Sequence, residues 1–181
     1  MQNEAIIKEL TNYVNHHMRL VEEWKHLPME ALNARPAPNA WSALECLEHL
    51  NRYGDFYIPE IQKRLKTAPE AQQHRFRPGL LGNYFAMSML PKAKLNRMKT
   101  FASMNPAGSL LTASTLSRFI NQQNDFLHLL EAANKVDLNR TRTAISISTW
   151  LKLKLGDTLR VVIYHNERHM QQAQRACSPA Q

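Results

Sequence analysis

From Thr158 to Ala176 the chain contains neither glycine nor proline, and its apolar residues fall on one side of a helix drawn at about 100° per residue. Leu159, Val162, Ile163, Met170 and Ala173 form the apolar face, while Arg160, Glu167, Gln171, Gln174 and Arg175 form the wet one. A stripe of this kind must be buried against other elements, which commits this part of the chain to a packed helical protein. Gly156 breaks the preceding segment, and Asp157 is the expected N-cap, its carboxylate suited to the positive helix terminus. His165 and His169 lie four residues apart. At that spacing their Cβ atoms sit about 5–6 Å from each other on one face, so both imidazoles can turn toward a common point. His169 falls within the apolar face and His165 at its margin. A metal site needs at least one more protein ligand, and the alternative is a pair of core histidines satisfied by hydrogen bonds.

Three further segments carry the same period, which predicts long helices near 4–27, 42–66, 114–134 and 157–176. In the first, Ile6, Leu10, Val14, Met18, Val21 and Trp24 make the stripe, and Pro28 lies just past the end. His16, His17 and His26 have no partner at ligand spacing and are expected at the surface or its boundary. In the second, Ser42 and Glu45 form a capping box behind Trp41, and Gly54 and Pro59 mark a weak or kinked middle. His49 points about 140° away from the stripe of Leu44, Leu47, Ile58 and Ile61, yet a second stripe of Cys46, Tyr53 and Phe56 runs beside it and implies a covering layer. The third long helix places Leu116, Phe119, Ile120, Leu127 and Leu130 on one face and His128 at the surface. Residues 33–40 form a proline-rich loop. Residues 68–111, punctuated by proline and glycine, read as a long connection with a short apolar helix near Leu80–Leu90. Residues 141–155 read as an extended or mixed segment across one end of the bundle.

A length of 181 residues, with 44% hydrophobic and 21% charged, suits one domain covering 1–181. Glu4, Lys8 and Glu9 occupy the stretch where a signal peptide needs an apolar run, and the uncharged stretch Pro78–Pro91 is too short to span a bilayer. Cys46 and Cys177 lie far apart, which fits a reducing cytoplasm and argues against a disulfide scaffold. The net charge of +8 resides in residues 91–181, where thirteen basic side chains face five acidic ones. Lys92, Lys94, Arg97 and Lys99 lie in one connection, and Arg140, Arg142, Lys152 and Lys154 in another. With no recognition motif and no interleaved aromatics, these read as a solvated basic face rather than a nucleic-acid surface.

Three motifs in order, W-S-x-x-E-x-L-x-H-L at Trp41–Leu50, K-L-G-D-x-L at Lys154–Leu159 and H-x-x-R-H-x-x-Q at His165–Gln172, resemble those of the DinB/YfiT-like superfamily. The resemblance implies an all-α four-helix bundle running up-down-down-up, with a long crossover between the second and third helices. It also implies a divalent metal ion, zinc or nickel, held by His49, His165 and His169, which overrides the reading of His49 from spacing alone. Characterised bacterial members include thiol-dependent S-transferases and metal-dependent isomerases or hydrolases. The expected function is accordingly that of a metal-dependent enzyme on small molecules, of the thiol S-transferase or hydrolase type, with a low-molecular-weight thiol as substrate. The other reading is a non-catalytic metal- or ligand-binding bundle with a stress-response role. Monomer and homodimer both stay open, and no catalytic residue is assigned. Candidates for supporting the ligands are Glu45, Tyr53 and Gln172, with Glu45 favoured instead as the capping-box partner. Arg168 could meet an anionic substrate or a carboxylate, and Cys46 is expected to be a small core residue. Metal affinity is expected to fall as pH drops through the ordinary histidine range near ~6.5.

Overall fold

The computed structural model describes residues 1–72, 75–91 and 100–177, and these are mostly helical. The elements are α1 (Asn3–Trp24), α2 (Met29–Asn33), α3 (Ala43–Leu65), α4 (Leu80–Met89), a 3-10 turn at Ala102–Met104, α5 (Ala113–Ala133), strands β1 (Arg142–Ile145) and β2 (Ser148–Lys154), and α6 (Leu155–Cys177). Among these residues no helix is long and apolar enough to cross a membrane. His74, Lys92, Lys94, Arg97 and Lys99 lie outside the described residues. Arg140, Arg142 and Lys152 are exposed, and the half-buried Lys154 donates to the Arg77 carbonyl oxygen at 2.7 Å.

The long helices form where the apolar period runs. The α1 stripe of Ile6, Leu10, Val14, Val21 and Trp24 is buried, and the chain leaves the helix by a turn at residues 25–27. The Ser42–Glu45 capping box closes the start of α3, with the Glu45 backbone N–H donating to Ser42 Oγ at 3.1 Å and the Ser42 N–H to Glu45 Oε2 at 2.9 Å. Its helix continues through Gly54 and Pro59, the latter exposed. α3 packs on α5 and α6, α1 packs on the same two helices, and α4 lies against α6. One part of the core gathers Leu10, Ile61, Phe126 and Leu159; the other gathers Val21, Leu47, Phe119 and Met170. The expected extended segment is an antiparallel hairpin that pairs Arg142 with Lys154 and Ala144 with Lys152, with a bulge between Ala144 and Ile145. Its first strand packs on α3 and α6.

Several assignments made from the helical wheel are corrected by long-range packing. α6 begins at Leu155, so Asp157 lies inside the first turn instead of capping it. Asp157 is 1% exposed; its Oδ2 accepts the Gly79 N–H at 2.8 Å, and its Oδ1 lies 3.5 Å from Arg160. It therefore fixes the entry to α4. Burial still raises its pKa, against the opposing pull of Gly79 and Arg160. Gly156 is required for a close approach, since a Cβ there would stand 2.6 Å from the Phe76 ring. Arg160 and Glu167, placed on the wet face by period, are both buried; Arg160 donates to Asn83 Oδ1 at 2.9 Å. His17 is not a surface residue but fully buried, 2.8 Å from Glu167.

Candidate metal centre

α3 packs on α6, and this packing brings His49 against His165 and His169. One ring nitrogen from each of the three histidines can be chosen so that all lie within 4.8 Å of one another. His49 Nε2 is 3.3 Å from His165 Nε2. That is close to the ~3.3 Å spacing of two nitrogens on a tetrahedral ion with metal–nitrogen bonds of about 2.0–2.1 Å. The ring centroids lie 4.6–5.1 Å apart.

The outward nitrogens are held. His49 Nδ1 lies 2.7 Å from the Met104 carbonyl oxygen, and His169 Nδ1 lies 3.0 Å from Gln172 Oε1. Each acceptor keeps the proton on Nδ1 and leaves Nε2 with a free lone pair, the tautomer a metal ligand needs, and that of His49 meets His165 Nε2. Gln172 thus supports His169. Tyr53 stands edge-on to His49 and His165, with centroids at 4.9 and 4.7 Å. Glu45 is instead engaged by its capping box and by an ion pair with Arg35. Cys46 is a buried core residue whose thiol pKa is pushed far up by burial.

Burial is the first cause of a low pKa at all three rings. It pushes His49 down to about 4 and His169 to about 3, and it holds His165 well below the ordinary value, with its two neighbours adding to the effect. The histidines are therefore neutral, and able to act as ligands, well into the acid range. The donor set fits a borderline divalent ion: three neutral imidazoles, no thiolate, and room for further ligands.

His165 and His169, half-buried, open onto a cavity of about 890 Å³. Trp41, expected only to pack across the start of α3, also stands beside the centre, 4.8 Å from His49 and 5.7 Å from His169. Arg168 and Gln172 line the same cavity. No carboxylate among the described residues does so. The Met104 carbonyl and the hairpin residues Ile145–Ile147 were not identifiable beforehand, because a backbone oxygen and a turn tip leave no spacing signal. His128 is exposed and stands apart from the centre.

A family model described as the DinB superfamily matches residues 12–173. No curated protein and no solved structure matches the chain.

Proposed function

This chain belongs to the DinB superfamily, and on that premise we propose that it is a metal-dependent enzyme acting on small molecules, of the thiol S-transferase or hydrolase type. His49, His165 and His169 hold its divalent ion, zinc or nickel. The observation that carries this reading is that three imidazoles converge at the wall of a large cavity rather than inside a sealed core. When bound, such an ion supplies Lewis acidity that lowers the pKa of a water or thiol to near neutrality. The chain's own residues supply the rest. Met104 and Gln172 fix the tautomers of His49 and His169, Trp41 and Tyr53 hold the rings in place, and Arg168 lines the cavity.

The second reading, a non-catalytic metal- or ligand-binding bundle, is favoured by the cavity lining, where no carboxylate among the described residues stands by as general base. We read the fold as a single domain, a four-helix bundle of α1, α3, α5 and α6 running up-down-down-up. Residue pairs support the directions of α1 and α3 against α6: Glu9 with Tyr164 and His17 with Glu167 ascend together, whereas Tyr53 with His165 and His49 with His169 run oppositely. A cytoplasmic protein, monomeric or homodimeric, with a low-molecular-weight thiol as substrate completes the proposal.

Metal analysis of the purified protein, coupled to a thiol-dependent activity screen with the ion retained, tests it. One ion per chain is expected, with both ion and activity lost in His49→Ala, His165→Ala and His169→Ala. An H49A protein that binds a stoichiometric ion as tightly as the parent would overturn the ligand set; an ion without activity against any small molecule would favour the binding bundle.

A further inference from the structure

We propose that the cavity in front of the three histidines is built for an amphiphile, a ligand with one anionic, metal-seeking head and an extended alkyl or aryl body. The head's placement rests on the metal reading above; the body's does not. A volume of about 890 Å³ is far more than a head group needs, equivalent to roughly 30 water molecules. Two kinds of residue surround that volume. Residues 165–172 of α6 bring the histidines, Arg168 and Gln172, with Trp41 beside His49 and His169; Phe85 and Met89 of α4, Ile145 and Leu153 of the hairpin, and Val161 and Val162 nearer the start of α6 bring an apolar side.

The polar groups on this apolar side are engaged with each other. The Ser146 backbone N–H donates to the Tyr57 hydroxyl at 3.3 Å, and the Ser146 Oγ lies 3.3 Å from the same oxygen. Away from the histidines, Arg168, Gln172, Tyr53 and Trp41, the described lining adds only Thr100 and the exposed Asn39 as partners to replace the water a polyhydroxylated body would shed. An apolar body meets the opposite situation, since each methylene removed from water is favourable wherever it settles against Phe85, Met89 or Leu153. The apolar lining also continues outward. Phe101 and Ile147 line the cavity and are 54% and 51% exposed, so a body longer than the cavity has an apolar rim to follow.

The test is calorimetric titration of straight-chain carboxylates, from butanoate to decanoate, into zinc-loaded and metal-free protein. Affinity should rise about fourfold per added methylene, the equivalent of ~0.8 kcal/mol each. The slope should be the same in both forms, with the metal-free protein starting from a weaker baseline. Ile147→Asn, at an exposed turn, and Met89→Gln should flatten the slope while leaving zinc stoichiometry unchanged. A flat series in both forms, or a slope untouched by both substitutions, would overturn the amphiphile. A preserved slope with identical baselines would instead sink the metal-held head while leaving the apolar body in place.

Discussion

His17 and Glu167 form a buried contact on the side of α6 away from the metal centre. His17 is fully buried; burial lowers its pKa, and the bond to Glu167 only partly restores it. Burial would raise the Glu167 pKa, but the hydrogen bonds from His17 and Gln171 outweigh it and hold the carboxylate below its ordinary value. Glu167→Ala would leave His17 without that acceptor and should destabilise the fold by about 1–3 kcal/mol in urea titration, whereas Glu167→Gln, which keeps an acceptor, should cost less. Both shifts have the same sign against pH. The carboxylate's contribution is present above its unfolded pKa and is lost as pH falls through its depressed folded value. The imidazole, kept neutral when folded, adds a growing cost as pH drops below ~6.5, where the unfolded ring takes up a proton. None of this was legible locally, because the partners are 150 residues apart and a helical wheel assigns Glu167 to solvent. The three histidines that could hold a metal ion differ in the same respect. With His49 at about 4 and His169 at about 3, protons should not displace the ion near ~6.5, as ordinary histidines would allow, but only as pH approaches about 4. Chelator competition from pH 7 downward checks this, with the exposed His128→Ala as a neutral control.

The contact of α4 with α6 is set by glycine. A Cβ at Gly82 would stand 2.4 Å from the Asp157 carboxylate, which is itself held by the Gly79 N–H. Gly82→Ala should cost about 1–3 kcal/mol. It should also push Phe85 and Met89 away from the cavity they line, so ligand binding should weaken more than metal binding does; thermal unfolding and titration together separate the two effects. The four long helices were legible to within a few residues, because each buries a full apolar stripe. The short helix near 80–90 was legible from its punctuation. α2 was not, since five residues are too few to show a period, and the start of α6 was misplaced because Asp157 serves a distant backbone amide instead of its own helix end.

Across the molecule, the three histidines were legible only through the combination of motifs; spacing alone found the pair on α6 and set His49 aside. The cavity was not legible at all, because its wall comes from separate stretches including 39–41, 85–89, 100–101, 145–147 and 161–172, and no single stretch carries its pattern. Residues 68–111 supply part of that wall and the Met104 carbonyl. Limited proteolysis within them should therefore release no fragment that stays folded, and cutting there should loosen the centre. The distance along the chain between His49 and His165, 116 residues, would also make an ion bound there a fastener of the native state alone. An unfolded chain has no reason to hold three rings so far apart in sequence around one point, so whatever affinity the folded protein has is added to its stability. At free ion concentrations 100 and 1,000 times the dissociation constant that addition is about 2.7 and 4.1 kcal/mol. For a chain of this length the melting temperature should stand roughly 5–16 °C above that of the metal-free protein at those zinc concentrations, and the rise should vanish in His169→Ala.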